Sequence, residues 1–222
     1  MQAPRLPEVG IGGRPHRVPS VSVSADDVTA AVAAAVDALK AAAGADWSVR
    51  AGDLEWDCWE TAEHIADDLF YYAAQLGAPG YSDYLPLRAE PNRPGGEPNT
   101  IRVVAEAGPA GLFTALSAMG ALLASMVRTA EQGTRGHHSF GAADASASAA
   151  MGVLEVVVHT HDLAAGLGVA WEPDRDLCAR VLARLMPEVP RTADAYADLL
   201  WACGRIELDG RGRRPDGWRW QN

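Results

Sequence analysis

From Ala107 to Val127 the chain runs for 21 residues without a charged side chain, AGPAGLFTALSAMGALLASMV. A segment of that length and character is either a membrane span or a helix inside a protein core. Its side chains are mostly Ala, Gly, Ser and Thr rather than Leu, Ile and Phe, and it has no aromatic girdle and no flanking basic cluster beyond Arg128. The expectation is therefore a helix buried at the centre of a helical protein, with no membrane partner.

The rest of the chain agrees with a helical class. Alanine supplies 42 of the 222 residues, while Leu, Ile, Val and Phe together supply 45, of which only four are Ile. So few β-branched residues argue against a sandwich or barrel, and small side chains let helices approach closely. Ser24 before Asp26 and Asp27 reads as the start of a helix over Ala25–Ala43. Asp57 and Glu60 form a capping-box pair opening a second helix that runs to Leu76 and stops at Gly77. Residues 78–108, with five Pro and four Gly, predict a long connection with a short extended piece at Ile101–Ala105. A third helix follows from Pro109 to about Glu131, and a fourth from about Ala143 to Gly166. A fifth is opened by Pro173 and a sixth by Thr192. The predicted organisation is an all-α bundle domain over 25–222, including an Arg/Trp tail at 205–222. An extended or flexible arm at 1–24, with four Pro and three Gly, precedes it and has no signal-peptide core.

Charge and cysteine content exclude several functions. A net charge of −10 speaks against a phosphate-tracking surface, although Arg205, Arg211, Arg213, Arg214 and Arg219 crowd into the tail. Cys58, Cys178 and Cys203 are odd in number and far apart, which is neither a disulfide framework nor a zinc ribbon and points to a reduced, cytoplasmic protein. No P-loop or HExxH occurs, and Gly10–Gly13 precede no strand–helix unit that would make them a dinucleotide fingerprint.

Candidate chemistry rests on histidines. Glu155 and His159, four apart in EVVVH, lie above one another on one helix face, and His64 sits mid-helix in WETAEHIADDL. One ligand from one helix and an i,i+4 pair from another make a three-point set suited to Zn²⁺, Ni²⁺, Fe²⁺ or Mn²⁺. The same spacing also arises on helices that bind nothing, where a histidine is a hydrogen-bonded core residue. Glu155 in the apolar run MGVLEVVVHT needs a partner in either case. Asp162 and Asp68 are spaced to accept the far ring N–H of His159 and His64, whereas Asp67 and Asp68 equally suit a solvated face. His161 is roughly 200° around the helix from His159, a pocket-wall or core position. His137 and His138 are reserve ligands on a loop, and His16 in the arm has no assigned role. Arg205 and Arg219 are candidates for gripping an anionic substrate, with Trp201, Trp218 and Trp220 either beside them or simply anchoring the tail.

The segments WDCWETAEHIADDLFYYAAQL, EVVVHTHDLAAGLG, LLWACGR and a closing WRW resemble the DinB-like bundle proteins. The branch they are most similar to is that of the mycothiol-dependent maleylpyruvate isomerases of actinobacteria, over roughly residues 25–220. The resemblance implies a four-helix bundle holding a divalent metal, usually zinc, through His64, Glu155 and His159. It also implies a thiol-dependent transferase or isomerase using mycothiol or a related small thiol. The maleylpyruvate isomerase has a separate C-terminal domain where this sequence has the short Arg/Trp tail. The expected partners are a small thiol and a small electrophile, with no nucleic acid, in a monomer or homodimer. The same metal could instead activate water in a hydrolase, or sit in a bundle without catalytic activity. Coordination of a free thiol to a divalent cation deprotonates it, so no nucleophile from the chain is required.

Overall fold

Local cap chemistry sets where the helices begin. In the computed structural model, which describes residues 22–80, 82–96, 98–215 and 217–221, the capping box expected at Asp57 and Glu60 is formed, and Ser24 with Asp27 forms a second. Ser24 and Asp27 start α1 (Ala25–Leu39), and Asp57 and Glu60 start α2 (Cys58–Leu76), each pair satisfying two backbone donors reciprocally. Such a cap contributes about 1 kcal/mol. The helices that follow are α3 (Gly108–Thr129), α4 (Ala145–Leu167), α5 (Arg175–Leu185) and α6 (Ala195–Ala202). The arm expected at 1–24 lies outside the described residues up to position 21, as does His16. At its end, Val23 is buried and donates its N–H to Ser146 Oγ on α4.

Among the described residues the fold is all-α apart from two pairs of two-residue strands, β1 (Glu90–Pro91) with β2 (Pro98–Asn99) and β3 (Glu207–Leu208) with β4 (Gly212–Arg213). Helices α1 and α2 each pack against both α3 and α4, α3 and α4 touch, and α5 bridges α4 to α6. Several boundaries differ from expectation. Residues Lys40–Ala42 tighten into a 3-10 turn after α1. Helix α5 is capped by Asp174 rather than opened at Pro173. Helix α6 is capped by Asp194, whose carboxylate accepts the Tyr196 and Ala197 N–H groups, while the Thr192 hydroxyl accepts the Asp194 N–H.

Two corrections bear on the site. First, the central helix is α4, not α3. Of the 23 residues of α4, 17 are buried, including Glu155 and His159. Helix α3 is long and apolar enough to cross a membrane by length and composition, yet it buries one face only, through Leu112, Phe113, Leu116, Gly120, Leu123 and Ala124. Ala118, Ala121 and Leu122 lie exposed. Both helices are apolar nearly all round; α4 has neighbours on more sides, so position rather than hydropathy decides which is central. The close approach is visible at Gly152, where a Cβ would meet Leu123, and at Gly166, where it would clash with the Arg50 carbonyl oxygen.

Second, the paired strands of the long connection are β1 and β2, while residues 101–104 pair with no strand among the described residues and a 3-10 turn follows at Ala105–Ala107. The N–H groups of Thr100 and Ile101 donate to Asp67 Oδ1 at 2.8 and 2.7 Å, and that of Val103 donates to Glu63 Oε1 at 2.7 Å. Buried carboxylates on α2 thus take the place of a partner strand. Asp67 is no solvated-face residue; it holds the connection.

Candidate metal centre

Three side chains from two helices converge. His64 comes from α2 and Glu155 and His159 from successive turns of α4, with one ligand atom of each within 4.8 Å of the others. His159 Nε2 lies 3.3 Å from Glu155 Oε2, and the His64 and His159 rings meet edge to face with centroids 5.0 Å apart. Glu155 and His159 are buried, at 7% and 6% exposure, and His64 is half-buried.

Each histidine is oriented from behind. His159 Nδ1 meets Asp162 Oδ2 at 3.0 Å, and His64 Nε2 meets Asp68 Oδ2 at 3.2 Å. Arg205 donates from Nε and Nη2 to the Asp162 carboxylate at 3.0–3.1 Å, and Nη1 donates to the Cys203 carbonyl. Tyr72, two turns after His64 on α2, donates its hydroxyl to Glu155 Oε1 at 3.3 Å. The Trp56 ring lies 4.8 Å from that of His64 and 6.0 Å from that of His159.

The electrostatics follow from burial and partners. Burial, with the nearby His159 charge, pushes the His64 pKa down to about 4. For His159 burial opposes the charged form, but the hydrogen bonds to Asp162 and Glu155 outweigh it and raise the pKa. Burial would raise the Glu155 and Asp162 carboxyls; hydrogen bonds from His159, joined by Arg205 at Asp162, hold both below the ordinary carboxylate value. The His159 ring thus stands between two carboxylates, Glu155 and Asp162. A donor set of two imidazoles and one buried carboxylate, each imidazole backed by a further carboxylate, fits a divalent first-row cation.

Two cavities with no lining residue in common open on this cluster. One, of about 440 Å³, includes Glu155, His159, Cys203 and Arg205 below Trp56, Phe140, Trp218 and Trp220. The other, of about 430 Å³, includes His64, Asp68, Tyr72, Tyr84, Asn99 and His138. A larger cavity, about 610 Å³, lies around Trp47, Trp59 and Arg93, and none of the three candidate ligands lines it.

The remaining expected site residues are distributed unevenly. Arg205 is at the site, but its guanidinium is engaged by Asp162, which makes it a support for His159 rather than a free anion grip. Arg219 is exposed and stacks over the Phe140 ring at 5.4 Å. His161 faces away from the cluster: its Nδ1 pairs with the Tyr196 hydroxyl at 2.9 Å, and it lines a different cavity with Asp53 and Arg213. His137 and His138 line the His64 cavity, and His138 Nδ1 accepts the Phe140 N–H at 3.1 Å. Sequence reasoning missed Trp56, Tyr72, Phe140 and Cys203. The i,i+8 spacing of Tyr72 from His64 was a usable signal, whereas Trp56 and Phe140 lie outside helices, where no periodicity applies. Cys203 joins the cavity wall as a thiol pushed up to about 12 by burial, so it stays protonated. Comparison with protein-family models, curated proteins and solved structures gives no significant match to this chain.

Proposed function

We propose that the chain is a divalent-metal-dependent enzyme built as a DinB-like four-helix bundle of α1–α4. In this reading it activates a low-molecular-weight thiol of the mycothiol kind for transfer to, or isomerisation of, a small electrophile. The observation that carries the reading is the convergence of His64, Glu155 and His159 within 4.8 Å. A divalent cation there, zinc first among the candidates, supplies Lewis acidity that lowers the pKa of a thiol from its free value of about 8.5.

The chain's own groups do the rest. Asp162, held by Arg205, fixes the proton of His159 on Nδ1, and Asp68 does the same for Nε2 of His64. Tyr72 orients the Glu155 carboxylate. Two separate cavities, one bordered by Glu155 and His159 and the other by His64, suit two reactants better than one reactant and a water. That favours transfer over hydrolysis. No cysteine is free to compete, since all three are buried and held protonated.

The test has two parts. Elemental analysis of purified protein is expected to give one divalent metal per chain, lost in His159→Ala. Turnover of an electrophile such as an activated haloarene is expected only with added thiol. Metal-free protein sinks the reading, and turnover independent of thiol assigns the hydrolase instead.

A further inference from the structure

The cavity bordered by Glu155 and His159 is mostly aromatic. Trp56, Phe140, Trp218 and Trp220 line it together with Leu54, Leu154 and Val158, beside the polar side chains of Glu155, His159, Cys203 and Arg205. The Phe140 and Trp220 rings lie 5.1 Å apart and those of Trp218 and Trp220 5.9 Å apart, a wall of edge-to-face and tilted rings. Its volume of about 440 Å³ falls within the range of about 300–1,000 Å³ typical of small-molecule sites.

Charge narrows the occupant. Arg205 is the one guanidinium among the described residues that line the cavity, and three contacts to Asp162 engage it. The neighbouring Arg219 and Arg214 stack on Phe140 and Trp218, and Arg214 also donates to the Ala202 carbonyl and to Glu188. A polyanion would lose its hydration against indole faces. A flat apolar ring instead buries its faces against the walls and gains aromatic contacts of about 0.5–1.5 kcal/mol per pair beyond its area. One polar function on such a molecule is also accommodated, since Glu155 and His159 are part of the lining.

We infer that this cavity binds a planar aromatic small molecule carrying a single hydrogen-bonding function, which serves as the second reactant beside the His64–Glu155–His159 cluster. The inference rests on reading that cluster as the reactive centre, but the cavity's affinity for aromatics does not depend on bound metal.

The test uses 1-naphthol as probe and succinate as comparator, titrated into the full chain before and after dialysis against a chelator. Binding is followed by calorimetry and by quenching of tryptophan fluorescence. Saturable one-to-one binding of 1-naphthol is expected in both preparations, with at least tenfold weaker binding of succinate. Phe140→Ala and Trp218→Ala, both at partly exposed positions, are expected to weaken 1-naphthol at least fivefold with the helical circular dichroism unchanged. Tyr84→Ala, in the other cavity, is expected to change it less than twofold. Absence of saturable binding, binding insensitive to both wall variants, or tighter binding of succinate overturns the inference. Binding in a protein that never holds metal leaves the aromatic cavity standing and removes the reactive-centre reading alone.

Discussion

Arg205 and Asp162 form the closest-knit charged pair behind the candidate centre. Nε and Nη2 reach one carboxylate at 3.0–3.1 Å, and the same carboxylate meets His159 Nδ1 at 3.0 Å. The pair joins the start of the tail to the middle of α4 and couples the position of residue 205 to the tautomer of a ligand on the opposite side of Asp162. Arg205→Ala leaves a carboxylate that is 4% exposed without its cation. The expected loss is about 2–3 kcal/mol in urea unfolding, at the low end for buried pairs because the Arg205 side chain is 21% exposed. Metal affinity, measured by competition with a chromophoric chelator, is expected to fall about 10–100-fold. Unchanged affinity would show that Asp162 orients His159 unaided.

Removing any of His64, Glu155 or His159 is expected to lower bound metal below one per chain, with the two α4 variants most affected because those residues are the most buried. Added Zn²⁺ at about 1,000 times its Kd is expected to stabilise the parent chain by about 4 kcal/mol and the His159→Ala chain far less, read as a concentration-dependent Tm. A Tm indifferent to metal in the parent counts against the centre.

The buried thiols predict a loss of stability on the alkaline side. Burial pushes Cys58, Cys178 and Cys203 from 9.0 up to about 12 in the folded chain, while the unfolded chain ionises them near 9. Their contribution is complete below pH 9 and is lost as pH rises towards 12, with a slope of up to about 1.4 kcal/mol per pH unit for each thiol. Urea midpoints between pH 8 and 10.5 are expected to fall, and to fall less steeply in a chain with all three changed to Ala. Without denaturant, none of the three is expected to react with a thiol reagent within the mixing time.

Gly166 and Gly44 offer a matched pair. A Cβ at Gly166 would clash with the Arg50 carbonyl oxygen and stand 2.8 Å from Cys58 Sγ, whereas one at Gly44 meets nothing within 4 Å. Gly166→Ala is expected to cost about 1–3 kcal/mol and to displace the Arg50–Asp57 segment that carries Trp56. Gly44→Ala is expected to be neutral or to stabilise by up to about 1 kcal/mol through the unfolded state. Equal effects at the two sites would contradict the packing described for α4 against that segment.

Asp67→Ala is expected to speed amide exchange at Thr100 and Ile101, whose N–H groups lose their common acceptor, with a stability cost of about 1–3 kcal/mol. Slow exchange persisting at both amides would assign their protection to another partner.

The parts of this fold that could be read from sequence are those governed by neighbours a few residues away. Ser24 with Asp27 and Asp57 with Glu60 announce helix starts because cap hydrogen bonds close within one turn. Glu155 and His159 could be placed on one face because four residues make about one turn. That His64 stands beside them depends on how α2 lies on α4, which no local pattern encodes. The apolar character of α3 suggested a central helix, but α4 holds the centre because more elements surround it. Asp67 looked like a solvent-facing acid because its partners, Thr100 and Ile101, lie more than thirty residues away. Trp56, Phe140 and Trp220 meet at one cavity from two loops and the tail, a meeting that exists only once the chain has folded.

The walls of the aromatic cavity do not share one local stability. Glu155, His159 and Val158 belong to the most enclosed helix, but Trp218 and Trp220 belong to a segment outside the helices, held by Arg214 to the Ala202 carbonyl and Glu188 and by the Gln221 N–H to the Leu185 carbonyl. Elements with few buried backbone bonds open at a small fraction of the global free energy. The α4 wall and the segment bearing Trp218 and Trp220 therefore need not open together, and faster amide exchange at Trp218 and Trp220 than at Val158 is the expected reading of that difference.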